Sequence, residues 1–126
     1  MENKGAELVA KLLEVNKTLI YVDLSFNGIG NLGAVALSKA LETNTTLLTL
    51  NLNENEIGDP GALALSTVLK TNTTLYSLDL GDNNITNKGN KHWLEVFKPT
   101  AITSSTYVNT TLIELTLGTT DDDCHC

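Results

Sequence analysis

Four glycines, Gly5, Gly33, Gly61 and Gly89, stand 28 residues apart in sequence. The same interval links Thr18-Leu19, Thr46-Leu47 and Thr74-Leu75. It also links Asn16, Asn44 and Asn72; Asn27, Asn55 and Asn83; and Ile29, Ile57 and Ile85. Several registers that hold one period over most of a chain define a repeat architecture, and that constrains the fold more than any other feature here.

Each period has two halves. In Leu47-Leu48-Thr49-Leu50-Asn51-Leu52-Asn53, Leu50 and Leu52 alternate with polar neighbours, the period of a short strand with one buried face. In Gly61-Ala62-Leu63-Ala64-Leu65-Ser66-Thr67-Val68-Leu69-Lys70, Leu65, Val68 and Leu69 follow i, i+3, i+4, the period of a helix. Asp59-Pro60 supplies a helix start, because proline is tolerated in the first turn. A strand of ~5 residues and a helix of ~10 cannot bury their apolar faces alone. Stacked units can: strands pair in parallel, helices pack side by side, and leucines fill the space between. The helix layer is bulkier, so the stack curves with its strands on the inside. The crossover rule makes it right-handed. The expected fold is a short right-handed α/β solenoid with parallel strands on the concave face and helices on the convex face.

The pattern Leu-x-x-Leu-x-Leu-x-x-Asn-x-Ile, followed by a Gly-initiated helix, resembles the leucine-rich repeat, and its 28-residue spacing is similar to the ribonuclease-inhibitor subtype also found in NOD-like receptors. The matching residues are Leu19, Val22, Leu24, Asn27 and Ile29; Leu47, Leu50, Leu52, Asn55 and Ile57; and Leu75, Leu78, Leu80, Asn83 and Ile85. The resemblance spans roughly Gly5 to Gly118. It implies that Asn27, Asn55 and Asn83 form a ladder that satisfies backbone groups in the turn leaving each strand. The sequence also looks like the small Asn/Thr/Lys-rich leucine-rich-repeat effectors of intracellular bacteria such as Legionella.

The expected organisation is a repeat domain over 1–120 and an acidic tail over 121–126. The domain divides into a half-repeat cap at 5–17 with a helix over Ala6–Glu14, repeats near 18–45, 46–73 and 74–108, and a final strand at 111–118. The fourth unit departs from the pattern. His92, Trp93 and Phe97 replace small residues and leucine in its helix near 90–98, Pro99 ends that helix, and about nine residues are inserted near 99–108.

Composition narrows the function. The 126 residues carry a net charge of −7, and all 8 basic residues are lysine. Arginine is the usual bidentate reader of phosphate and guanine. An acidic chain without it is a poor nucleic-acid or anionic-membrane binder and favours a basic or neutral protein partner. No apolar run approaches the ~20 residues of a membrane span, and the first residues lack the apolar core of a signal peptide. Both cysteines, Cys124 and Cys126, lie at the end, so no disulfide staples the core and the expected location is the cytoplasm. Under the bacterial resemblance it is the cytoplasm of a host cell.

Outward strand residues line the concave face in rows. One row is Tyr21, Thr49, Ser77 and Glu114, and the next is Asp23, Asn51, Asp79 and Thr116. A third is Ser25, Asn53, Gly81 and Gly118; Phe26, Glu54 and Asp82 form one rim; Ile20, Leu48, Tyr76 and Ile113 form the opposite edge. The face is thus polar and acidic in the middle with an aromatic and aliphatic margin, the character of a protein interface. The expected partner-binding residues are Tyr21, Asp23, Phe26, Thr49, Asn51, Asn53, Glu54, Tyr76, Ser77, Asp79, Asp82 and Glu114. Plain solvation is the alternative reading of the acidic rows, and edge packing that of Tyr21 and Phe26. Four strands at ~4.8 Å spacing and ~17 Å length offer roughly 330 Å², well below the ~800 Å² that each side of a stable complex buries. Loops such as Glu54–Asp59 and Asp82–Lys88 or the insertion must contribute, or binding is weak.

No catalytic constellation, cofactor loop or metal set emerges. His92 takes the helical position of Leu8, Ala36 and Ala64, which reads as a half-buried packing residue. Asp23 and Asp79, about 10 Å apart by strand spacing, match an inverting glycosidase in distance alone, without a desolvating pocket. Cys-His-Cys at the end is too tightly spaced for a tetrahedral zinc site. The triplets starting at Asn16, Asn44, Asn72, Asn84 and Asn109 fit the glycosylation sequence, yet most share one repeat phase and read as loop chemistry before the strand. The expected function is protein binding through the concave face and rims, as an inhibitor laid over a basic enzyme site or as a bacterial effector. The alternatives are a structural or regulatory part of a larger receptor of NOD-like type and, more remotely, an enzyme.

Overall fold

The computed structural model describes residues 2–86, 88 and, as a backbone strand, 114–117. The expected fourth helix with His92, the insertion near 99–108 and the tail at 121–126 lie outside the described residues. The elements are α1 (Glu2–Val15), β1 (Tyr21–Asp23), α2 (Asn31–Leu41), β2 (Thr49–Asn51), α3 (Asp59–Leu69), β3 (Ser77–Leu80) and β4 (Glu114–Leu117). Helix and strand alternate once per period. The strands form one parallel sheet in the order β1-β2-β3-β4. The fold is an α/β solenoid. Register follows the repeat: Val22, Leu50, Leu78 and Leu115 align across all four strands. The longer spacing before β4 does not shift it.

The core is built from columns of equivalent residues. Ala6, Ala34 and Ala62 are fully buried between helices. Leu13, Leu41 and Leu69, Leu24, Leu52 and Leu80, and Ile29, Ile57 and Ile85 fill the space between helices and sheet. Each buried leucine or isoleucine contributes about 1.5–3 kcal/mol. The glycine column exists because consecutive helix starts nearly touch. A Cβ on Gly33 would stand 2.6 Å from Ile29 Cγ2 and 3.0 Å from Ala6 Cβ. Gly61 repeats this with Ile57 at 2.7 Å and Ala34 at 3.0 Å.

α1 starts at Glu2, four residues before the expected Ala6. Asn3 and Gly5 are weak helix formers, so local propensity gives no early start. Tertiary contacts do: the Glu2 N–H donates to Asn27 O at 2.7 Å, and Asn3 Oδ1 accepts from the N–H groups of Gly30 and Gly33 at 2.8 and 3.0 Å.

Three polar ladders join the units. In the first, Asn55 Oδ1 accepts from the Asn27 and Ile29 N–H groups, and Asn55 Nδ2 donates to Leu24 O and Leu52 O. Asn83 repeats this toward Ile57 N–H, Leu52 O and Leu80 O. In the second, Asn44 Nδ2 donates to Leu13 O at 2.9 Å and Asn72 Nδ2 to Leu41 O at 2.9 Å. Their Oδ1 atoms accept from the chain entering the next strand, Thr46 and Leu47 N–H for Asn44, and Thr74 and Leu75 N–H for Asn72. In the third, Asn31 Oδ1 accepts from Gly58 and Gly61 N–H at 2.8 and 2.9 Å, the same service that Asn3 gives α2. Asp59 continues the column to Thr86 N–H and Oγ1. A helix leaves its first N–H and last C=O groups without intrahelical partners. For α2, Asn3 of the preceding unit satisfies groups at the start and Asn72 of the following unit one at the end. The caps are supplied between repeats, so no single unit is complete alone.

Candidate functional site

β1, β2 and β3 set the concave rows. Tyr21, Thr49, Ser77 and Glu114 align, as do Asp23, Asn51, Asp79 and Thr116. Alternation along each strand turns these residues away from the core, because Val22, Leu50 and Leu78 between them face inward. Tyr21 is 56% exposed and Tyr76 is also exposed. Thr49, Asn51, Asn53, Ser77 and Asp79 are half-buried, and Asp23 is exposed. Glu114 holds its register position, and its side chain lies outside the described residues. Tyr21 and Asp23 therefore share a strand with Thr49 and Asn51 beside them, whereas Tyr76 belongs to the opposite margin.

The second row has a structural duty that sequence spacing did not reveal. Asp23 Oδ1 accepts from Ser25 N–H at 2.9 Å and from Ser25 Oγ–H at 2.6 Å. Asn51 Oδ1 accepts from Asn53 N–H at 2.9 Å, and Asp79 Oδ1 from Gly81 N–H at 2.9 Å. Each side chain closes the same turn two residues on, an arrangement that Asp and Asn both suit. One oxygen of each carboxylate is therefore held at the sheet. The Ser25 hydroxyl, then the Ser25 N–H, stabilise the charged form of Asp23 and, with a lesser contribution from Tyr21, hold its pKa below the ordinary carboxylate value against the opposing effect of desolvation. Asn53 is also engaged, its Nδ2 donating to Gly81 O at 3.3 Å.

The rim row is set by backbone conformation. Phe26, Glu54 and Asp82 have φ of 58°, 57° and 52°, the left-handed region, at one phase of three successive units. The Asn ladder behind them holds the turn in this form. All three side chains are exposed, Phe26 at 72%. A non-glycine residue there costs about 1–2 kcal/mol.

The site missed two kinds of residue. Ile20, assigned only to an edge row, is exposed beside Tyr21. Asn3, Asn31 and Asp59 stand 28 residues apart at helix starts; Asp59 is legible in sequence as part of the Asp59-Pro60 start signal, whereas the bonds all three make between units are not. Among the described residues no group of three or more His, Cys, Asp or Glu side chains could hold a metal ion. No described helix is long and apolar enough to cross a membrane. A groove lined by Val35, Lys39, Glu42, Ala64, Val68 and Thr71 lies between α2 and α3, away from the strand rows. Asn44 and Asn72 are buried with both amide atoms bonded, so their glycosylation triplets are inaccessible in the fold.

Among curated proteins no sequence matches this chain. A solved structure titled Leiomodin-1 Actin-Binding Site 2 (ABS2) is similar, with a TM-score of 0.78 and 26% identity, over 93% of this chain and 64% of that one. The chain thus spans a little under two thirds of the length of that structure. The Leucine Rich repeat family pattern matches residues 15–38, 43–66 and 71–90. These segments cover more than half of the sequence, and each contains one of the strands β1, β2 and β3, so the chain belongs to the leucine-rich repeat family.

Proposed function

We propose that this chain is a non-catalytic protein-binding module that takes a folded partner of basic or neutral surface on its concave face and rims. The observation that carries this reading is the exposed Tyr21–Phe26 margin of β1 beside rows of polar groups already fixed by hydrogen bonds. Exposed aromatic residues next to rigid polar groups bind with little ordering cost. The similar solved structure is an actin-binding site, which supports a protein as the ligand class and makes monomeric actin the first probe. The carboxylates of the face lie on an open sheet without the enclosed pocket that acid–base chemistry needs. The sharper version, an inhibitor whose acidic face lies over a basic enzyme site, follows from the same charge. Action as a bacterial effector, and a cytoplasmic setting, belong to the proposal on composition alone.

The test pairs two variants. Asp23→Asn/Asp79→Asn removes charge and keeps the turn, because Asn51 already makes the same bond. Tyr21→Ala/Phe26→Ala removes the aromatic margin. Immobilised chain is titrated with monomeric actin and used for capture from lysate with mass spectrometry. The aromatic pair should weaken the bound partner at least tenfold, and the charge pair should reduce its salt dependence. A partner held equally by both variants refutes concave recognition.

A further inference from the structure

Asn27-Gly28 is the only Asn-Gly pair in the sequence. Such a pair can modify itself: the glycine's backbone nitrogen attacks the carboxamide carbon of the asparagine, and without a Cβ nothing bars the close approach. The fold decides whether the two groups are free to meet. Two references stand at the same phase of the repeat, Asn55-Glu56 and Asn83-Asn84. There the N–H after the ladder asparagine is tied to the unit before it: Glu56 N–H donates to Ile29 O and Asn84 N–H to Ile57 O, both at 2.8 Å. Among the described residues no unit lies before the first to supply that carbonyl, and Gly28 N–H has no hydrogen-bond partner. Its peptide is turned instead. Asn27 O accepts from Glu2 N–H at 2.7 Å and Gly28 takes φ 69°, whereas neither Glu56 nor Asn84 has a positive φ.

The carboxamide differs in the same direction. Asn55 Oδ1 accepts from two N–H groups and Asn83 Oδ1 from one, and the Nδ2 of each donates to three carbonyls. Asn27 Oδ1 accepts no bond among the described residues, and Asn27 Nδ2 donates to Leu24 O and Ser25 O at 3.1 and 3.0 Å. Leu24 O is also served by Asn55 Nδ2, and Ser25 is half-buried, so both carbonyls keep a partner when Asn27 leaves. Asn27 is itself half-buried, whereas Asn55 and Asn83 are buried. We propose that Asn27 is a site of spontaneous deamidation, singled out from the three ladder asparagines by its place at the end of the stack.

The step needs only hydroxide and water. Hydroxide removes the Gly28 amide proton, the nitrogen bonds to Asn27 Cγ, and the Cγ–Nδ2 bond breaks as Nδ2 takes a proton from water and leaves as ammonia. Water then opens the five-membered imide at one carbonyl or the other, giving aspartate or isoaspartate. Either product adds one negative charge to the chain. The aspartate sets a carboxylate oxygen, an acceptor, where Nδ2 donated to Leu24 O and Ser25 O. The isoaspartate lengthens the main chain by one carbon next to Phe26, whose φ of 58° depends on that turn. If Phe26 is a partner contact, as proposed above, both products alter its footing; the chemistry itself does not rest on that reading.

The test incubates the full chain at neutral pH, folded and in urea, and follows each asparagine by peptide mass spectrometry. In the wild-type chain Asn27 should deamidate when folded within about tenfold of its denatured rate. Glu56→Gly, at an exposed position, gives Asn55 the same neighbour and so separates fold from sequence. In urea the two sites should react alike. In the folded variant Asn55 should be at least about a hundredfold slower, because its bonds must open before the attack. Hydrogen exchange of the wild-type chain reads the attacking group directly: the Gly28 amide should exchange fast and the Glu56 and Asn84 amides slowly. An Asn27 that stays intact in the folded chain, a protected Gly28 amide, or a folded Glu56→Gly chain in which both sites react alike overturns the proposal. Should that variant fail to fold, the wild-type rate ratio and the exchange pattern decide it.

Discussion

Replacing Asn55 with alanine measures how far the ladder holds the units together. The side chain is 7% exposed and takes part in five hydrogen bonds, accepting from Asn27 and Ile29 N–H and donating to Leu24 O, Leu52 O and Asn53 O. These losses are not equal. Leu24 O keeps a donor in Asn27 Nδ2 and Leu52 O keeps one in Asn83 Nδ2. Asn53 O keeps the Phe26 N–H as a donor, and Asn27 is only half-buried, so its N–H regains water. Only the buried Ile29 N–H is left without this partner, at about 1–3 kcal/mol, and the shared bonds add about 1–2 kcal/mol together. The sum is about 2–5 kcal/mol. Asn27→Ala is the control. Asn27 Nδ2 donates to Leu24 O, which Asn55 still serves, and to Ser25 O, which is half-exposed. Its loss should cost only about 1 kcal/mol. Urea denaturation of the full chain, followed by circular dichroism, reads both. Equal losses for the two variants, or a loss below about 1 kcal/mol for Asn55→Ala, would refute the idea that inter-unit satisfaction of buried amides stabilises the stack.

Three further outcomes follow. Gly33→Ala should lower stability by about 1–3 kcal/mol in a thermal melt, because its Cβ meets Ile29 Cγ2 at 2.6 Å; this outweighs the helix-propensity gain of about 1 kcal/mol. Glu54→Gly should raise the urea midpoint by up to about 1 kcal/mol, since it relieves a left-handed conformation at φ 57° at some entropic cost, whereas Glu54→Val should lower it. The Asp23 carboxyl should titrate below the ordinary ~3.9 by NMR, and Ser25→Ala should move it upward. A depressed folded-state value means that this group supports the fold above its unfolded value. That support fades as pH falls through the lower, folded one, so Ser25→Ala should flatten the acid limb of stability below about pH 4.

The architecture was readable because it rests on period. Leu50 and Leu52 alternate, Leu65, Val68 and Leu69 follow the helical interval, and both patterns return every 28 residues. The placement of β4 in register after a longer spacing shows how strongly the Leu-x-Leu alternation specifies pairing. The candidate site was less legible. Alternation places Tyr21 on the outward face, and alignment of the repeats places Phe26 and Tyr76 on its margins. That Asp23, Asn51 and Asp79 close turns, and so point one oxygen at the sheet, could not be read from the same alternation.

What the sequence alone determined is the unit: a strand, a turn with its asparagine and a helix, each too small to stand alone. Local patterning does this because side-chain direction in strand and helix follows from backbone geometry. What only the tertiary structure decided is how units complete one another. Asn3 reaches Gly33, Asn44 reaches Leu13 and Asn55 reaches Leu24 across unit boundaries. Those bonds depend on helices brought close enough for Gly33 to touch Ala6. Packing likewise decides that Leu19 and Val22, at the sheet edge, stay half covered. Distances between units arise from packing, and packing is a property of the assembled stack.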